Sequence, residues 1–273
     1  MGHAMLAILL SALQENGEGW RPIWNGKDLA GWETWLGRPH KAIEVPGLPR
    51  NEKGDYTKDV GLDQDPKGVF SVIDVDGAPA IRVSGEVWGA LTTKEEFENY
   101  RFRAQFKWGQ KKWPPREKTV RDNGLLYHCV GKHGAQSGFW MKSFEMQIQE
   151  RDCGDFHSLV GAKVDVAAER NAKGMLVYRP GAPVVAGVTQ RILKDPDAEK
   201  PTGEWNTVDF YCHGQTSVHV VNGVVNMVLT NLRHGDDRPL TKGRIQIQSE
   251  GAEIYWRNLE VKPITEIPRP FLE

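Results

Sequence analysis

Apolar and polar residues alternate with period two through most of this chain, in short runs broken by glycine, proline, asparagine and aspartate. That is the pattern of half-buried strands rather than helices. In RFRAQFKW, Phe102, Ala104, Phe106 and Trp108 alternate with Arg101, Arg103, Gln105 and Lys107. In RIQIQSE, Ile245 and Ile247 alternate with Arg244, Gln246 and Gln248. The spacing predicts strands over Val69–Val75, Ala80–Val83, Tyr100–Trp108, Gly124–Val130, Phe144–Gln149, Gly161–Val166 and Met175–Tyr178. It continues with Thr207–Cys212, Ser217–Val221, Val224–Thr230, Gly243–Ser249 and Glu253–Lys262. Asn222-Gly223 supplies the positive φ angles of a two-residue hairpin turn, and Glu250-Gly251 marks a second hairpin. A single helical turn is expected around Lys94–Asn99. Two long irregular segments, Gly37–Gly68 and Pro180–Gly203, have the length of functional loops. No repeat and no linker divides the chain, so residues 20–266 read as one all-β domain followed by a 267–273 tail.

The polar faces of these strands change the picture. Arg and Gln arrayed on neighbouring strands could form a hydrogen-bonding floor for a sugar, or they could be an ordinary solvated face. At 273 residues the chain can bury a large core. Its net charge of −1 gives no reason to expect nucleic acid or an anionic membrane as a partner. Ten tryptophans suit the wide inner faces of a sandwich and also suit stacking on pyranose rings. Cys129, Cys153 and Cys212 show no metal spacing; three buried thiols are expected, with a Cys129–Cys153 bridge as the alternative. Residues 1–19 carry an apolar run, Ala4–Leu13, of signal-peptide length and too short to span a bilayer. A basic n-region is nearly absent, with only His3 before it, and no clean A-x-A site follows, so it reads as a degenerate export signal or an amphipathic arm. The former places the protein in the periplasm or outside the cell. No other segment could be transmembrane.

The stretch Asp122–His157 concentrates the candidate chemistry. His128 and His133 lie near an apolar run, EMQIQE carries Glu145, Gln147, Gln149 and Glu150, and His157 follows a turn with Asp152, Gly154 and Asp155. Glu145-x-Gln147-x-x-Glu150 has the spacing of the acidic strand motif of jelly-roll β-glucanases, with Gln at the central acid. A retaining glycosidase needs its carboxyls ~5–5.5 Å apart and an inverting one ~6.5–9.5 Å. On a flat strand Glu145 and Glu150 point to opposite faces about 17 Å apart, so only a bulge could bring them to one substrate. A mid-strand Glu145 is either functional or ion-paired, since an unpaired buried carboxylate is costly. His128, inside LLYHCV, has a hydrogen-bonded core histidine as its alternative. His133 sits in a Gly-rich loop and lines a cleft rim or simply the surface.

Several segments together resemble one family. WRPIWNGKDLAGWETW, NGLLYHCVG, FWMKSFEMQIQERDCGDF, GEWNTVDFYCHGQTSVHVVNG and KGRIQIQSEGAEIYWRNLEVKPI are similar, in order, to the 3-keto-disaccharide hydrolase family, from Trp20 to Ile264. The resemblance implies a two-sheet antiparallel jelly-roll sandwich of the concanavalin A-like lectin/glucanase type. It also implies an enzyme that cleaves 3-keto-glycosides supplied by an upstream sugar 3-oxidoreductase. The C3 ketone acidifies the C2 proton, a base removes it, the C1 aglycone leaves, and water adds back. That chemistry needs a general base, a partner for the enolate and an acid at the leaving oxygen, not two carboxylates at glycosidase spacing.

On this basis Glu145 is the candidate base, with His128, His157 and Glu150 as further catalytic candidates. Arg101, Arg103, Gln147, Gln246 and Gln248 are candidates for sugar contacts. No cofactor is demanded, but a divalent ion held by His128, Glu145 and His157 or Asp155 is an open possibility. A non-catalytic carbohydrate-binding module on the same sandwich is the competing expectation, and an ordinary β-glucanase a third.

Overall fold

The computed structural model describes residues 19–272. The expected export segment, residues 1–19, therefore lies almost wholly outside the described residues. Two antiparallel sheets face each other. One orders the strands Phe70–Val75, Ala78–Val83, Ala252–Pro263, Tyr100–Lys112, Asn206–His213, Thr216–Val221 and Val224–Arg233. The other orders Trp32–Leu36, Gly89–Thr93, Lys242–Ser249, Gly124–Val130, Lys142–Gln147 and Phe156–Leu159. Strand Lys163–Arg170 pairs with Val224–Arg233 and so ties the edge of the first sheet to the neighbouring loops. One short pairing, Leu176–Tyr178 with Ile192–Leu193, is parallel. This is the all-β jelly-roll sandwich of the concanavalin A-like lectin/glucanase type that the resemblance implied.

The period-two residues make the core. Phe102, Phe106, Trp108 and Trp256 from one sheet meet Tyr127, Phe144, Ile245 and Ile247 from the other, all essentially without solvent contact. Phe210 stacks on Phe102 at 4.8 Å and on Tyr127 at 5.0 Å, closing the space between sheets. Each such side chain contributes about 1.5–3 kcal/mol of hydrophobic stabilisation. Asn222 and Gly223 take φ of 50° and 82°, as the hairpin requires. The three cysteines are buried and unpaired. Trp24 and Trp32 pack inside and are tied by their indole N–H groups to the carbonyls of Asp28 and Ile23.

The expected helical turn at Lys94–Asn99 is absent; Phe97–Glu98 is instead a short strand paired with Lys242–Gly243. Strands Trp32–Leu36, Gly89–Thr93 and Phe156–Leu159, which the alternation did not reveal, complete the second sheet. Gly89–Thr93 is buried along its whole length, so it has no polar side to alternate. No helix among the described residues is long and apolar enough to cross a membrane.

Candidate active site

The outward face of the second sheet carries the candidate site. Register sets His157 opposite Glu145, Glu145 opposite Leu126, Leu126 opposite Gln246, Gln246 opposite Thr92 and Thr92 opposite Glu33. Two residues along, Gln147, Gly124, Gln248, Ala90 and Trp35 form a second row on the same face. Most of this face is buried even though it is not the sandwich core: Glu145 and Gln147 are each 6% exposed, and Gln246 and Gln248 almost nil. Residues 131–141 fold over one end. There Met141 donates its backbone N–H to Gln246 Oε1 at 3.1 Å and Trp140 donates to the Gly89 carbonyl. Glu33 holds that flap by accepting from His133 Nε2 at 2.9 Å and from Arg244.

At the other end the face stays polar and short of partners. Glu145 is pushed up to about 8, first by burial and then by the negative charge of Asp122. Asp122 is raised to about 6 by burial against the opposing pull of Arg116. Glu250 is raised by burial and by Asp122 and Glu145 together. Arg116 ion-pairs with Asp122 and, at 3.1 Å, with Glu250. Asp122 and Glu250 thus share one directly bonded guanidinium beside the buried Glu145 carboxyl, and the cluster retains protons that isolated carboxylates would lose. The Gln248 side chain hydrogen-bonds Glu145 while its own Oε1 has no partner. Gln147 Oε1, Asp122 Oδ1 and His157 Nε2 are likewise buried and unpartnered. Buried polar atoms are normally satisfied, so these four atoms are left with bonding capacity that a polar ligand could use.

Gly124 makes the room for this. A Cβ there would overlap Glu145 Oε1 and lie 2.6 Å from Gln248 Oε1. Beyond Glu145, Arg191 binds Asp155 at 2.5 Å and Asp152 at 2.7 Å. Its charge also reaches His157, whose pKa is lowered to about 4 by burial first and Arg191 second. His157 is therefore a neutral imidazole across most of the pH range.

Of the residues singled out in the sequence, Glu145, His157, Gln147, Gln246 and Gln248 come together on one face, although Gln246 is already engaged with Thr92 and the flap. The others do not join them. His128 belongs to the core: its Nδ1 bonds the Leu240 carbonyl at 3.0 Å and its ring lies edge-on to Tyr127, Tyr100 and Phe144. A bulge explains the difference. His128 has φ of 52°, and the register with Lys142–Gln147 slips there, so counting by twos from Leu126 fails at this residue. Arg101 and Arg103 sit on the outer face of the opposite sheet, both bonded to Asp209 at 2.8 and 3.0 Å.

Glu150 lies past the strand, where it accepts from Arg121 and Thr202. Partial burial works to raise its pKa, but those partners outweigh it and hold the carboxyl low. Glu145 and Glu150 therefore have separate partners, and the glucanase pairing is not formed. Asp155 is committed to Arg191 and the Lys194 N–H. With His128 in the core, the proposed four-residue cation set does not converge. Among the described residues no three His, Cys, Asp or Glu side chains are placed to share a metal ion. Asp122, Glu250, Arg116 and Arg191 were missed. Extending the alternation by one step, from Gln246 and Gln248 to Glu250 and from Gly124 back to Asp122, would have found the first two.

The domain family described as 3-keto-alpha-glucoside-1,2-lyase-like domain matches residues 19–262. Among solved structures, a "putative glycosyl hydrolase" from Parabacteroides distasonis ATCC 8503 is similar at 16% identity and a TM-score of 0.50, over 90% of this chain and 94% of that one. A β-glucanase of Bacillus licheniformis aligns over 93% of this chain and 100% of that one, at 10% identity and a TM-score of 0.41. A carbohydrate-binding module of Bacillus subtilis covers 71% of this chain and 91% of its own length, at 8% identity and a TM-score of 0.42. Likeness at such identities concerns the fold alone. No curated protein matches the sequence.

Proposed function

The chain belongs to the family of 3-keto-alpha-glucoside-1,2-lyase-like domains, and from that premise we propose that it cleaves 3-keto-glycosides by elimination across C1 and C2. Membership ties the chain to carbohydrate chemistry; the reaction and the roles below are our reading of the site. The observation that carries it is Glu145, a buried carboxyl raised to about 8 near Asp122 and opposite His157, whose Nε2 is buried and unpartnered. A base of that strength suits a proton made acidic by an adjacent ketone, and an ordinary carboxylate near 4.5 would be far weaker.

In the proposed sequence the Glu145 carboxylate takes the C2 proton. The C2–H electron pair becomes the C1=C2 bond, and the C1–O bond breaks with its electrons on the leaving oxygen. Glu250, kept protonated by its neighbours, supplies that oxygen's proton. In this reading His157 Nε2, unpartnered, and the positive charge of Arg191 nearby serve to stabilise the C3 oxygen as it gains charge. Gln147 and Gln248 offer their free amide atoms to ring hydroxyls. Water added across the new double bond yields the free 3-keto sugar. The C3 ketone has to come from a preceding oxidation by a sugar 3-oxidoreductase, and no step needs a metal.

The test compares aglycone release from a 3-keto-glucoside and from its unoxidised parent. Release from the keto form alone, rising as the pH approaches 8, is expected. Sugar affinity without release from either compound would make the protein a lectin-like binding module instead.

A further inference from the structure

A cavity of about 830 Å³ lies between the long Gly37–Gly68 loop and the second sheet, with Trp88, Phe139, Pro115, Tyr56, Arg38 and Glu86 among its lining. It adjoins the acid cluster in two independent ways. Ser249 pairs with Gly89, and the residues that follow each of them out of the ladder, Glu250 and Trp88, leave the sheet at the same end. Pro115 lines the cavity, while Arg116, the next residue, grips Asp122 and Glu250.

The wall is preformed. Trp88 is wedged edge-on against Phe139 at 5.3 Å and stacked with Trp140 at 6.2 Å. The loop closes on this cluster at Gly37, where a Cβ would lie 2.5 Å from the Phe139 ring. The indole Nε1 of Trp88 is buried and has no partner, which is unusual for a tryptophan held this firmly. Apolar ring surface, a spare donor and room for more than a methyl group are found together beside the carboxyl assigned to the leaving oxygen.

We infer that this cavity is the leaving-group subsite. It takes a ring that lays an apolar face on Trp88 and offers an acceptor to the Trp88 N–H. The inference rests on the elimination reading above and specifies what departs. An aryl ring and a hexose both present such a face, and the substrates of the test separate them.

Three 3-keto-glucosides with methyl, phenyl and glucosyl leaving groups are compared on wild type, Trp88→Ala and Trp88→Phe. Loss of the indole should lower kcat/KM about tenfold or more for at least one ring-bearing substrate. The methyl glycoside should stay within about twofold, and the substrate that falls identifies the ring. Trp88→Phe, which keeps a ring but not the N–H, should retain part of the loss and so show the donor's share. Equal losses on all three substrates would make Trp88 a wall of the fold and overturn the inference. Should wild type cleave none of them, the elimination reading fails, and binding decides the subsite. Saturable quenching of tryptophan fluorescence by unoxidised phenyl glucoside or a glucosyl-glucoside, lost in Trp88→Phe, supports it; no quenching overturns it.

Discussion

The sandwich has two polar faces, built by the same alternation, and their charges are arranged in opposite ways. On the outer face of the first sheet, Arg101 and Arg103 both bond the Asp209 carboxylate, and their guanidinium groups lie over the Trp20 ring at 5.1 and 4.7 Å. Opposite charges meet there. On the outer face of the second sheet, Asp122 and Glu250 share Arg116, Glu145 feels the negative charge of Asp122, and Gln147, Gln248 and His157 each bury an unpartnered atom. An arginine-rich strand is thus no guide to a sugar site. Like charges forced together under cover, with spare hydrogen-bonding atoms beside them, are the better mark, because such an arrangement costs stability and needs a functional reason.

The widest separation between the faces should come from Glu145→Gln. The amide keeps the shape and cannot take a proton, so release from a 3-keto-glucoside should fall by ~10²–10⁴-fold. An Asp209→Asn change on the other face should leave the turnover number alone. Activity surviving in Glu145→Gln would move the base to Asp122 or Glu250 and break the assignment. Gly124→Ala comes next. The added methyl must displace the Glu145 carboxyl or the Gln248 amide, and a shift of that size at a reacting group costs on the order of 10²-fold. Unchanged activity with an intact fold would show that Glu145 need not occupy the position seen here.

Most of the fold was legible because one face of each strand had to be apolar. Phe102, Ala104, Phe106 and Trp108 declare their strand by themselves. Gly89–Thr93 does not, being covered on both faces, and neither does Phe97–Glu98, whose strand state depends on a distant partner. The site was legible in the same partial way. Glu145, Gln147 and Gln248 follow from counting by twos, but the facing of His157 and Glu145 is a matter of register, which no local pattern fixes. His128 shows the limit from the other side, since a one-residue bulge reverses its facing and the sequence carries no sign of it. Arg116 and Arg191 arrive from loops and could only be found once the chain was folded.

A smaller effect tests the satisfied face. Asp209→Ala removes the carboxylate that Arg101 and Arg103 share beneath Trp20, and denaturant unfolding should show a loss of about 1–3 kcal/mol with kcat unaltered. A large fall in kcat at unchanged stability would mean that this face also carries function, and the contrast between the two faces would collapse.

The finest test asks whether the site face really is held at a cost. Glu145 has a folded pKa of about 8 against an ordinary 4.5, so the folded state binds its proton more tightly than the unfolded chain. The stabilisation this gives is complete below about 4.5 and is lost as the pH climbs through about 8. Asp122, raised to about 6, shifts in the same sense, whereas His157, lowered to about 4, withdraws stability only as the pH falls below its ordinary 6.5. Glu145→Gln is neutral at every pH and escapes the first of these losses. Its melting temperature should match wild type near pH 4.5 and exceed it by about 5 °C near pH 8, so the variant that loses catalysis gains stability. A difference that stays flat across this range would show that Glu145 ionises as easily in the folded protein as in the unfolded chain. It would then lack the one property that distinguishes it from the paired carboxylate of the opposite face.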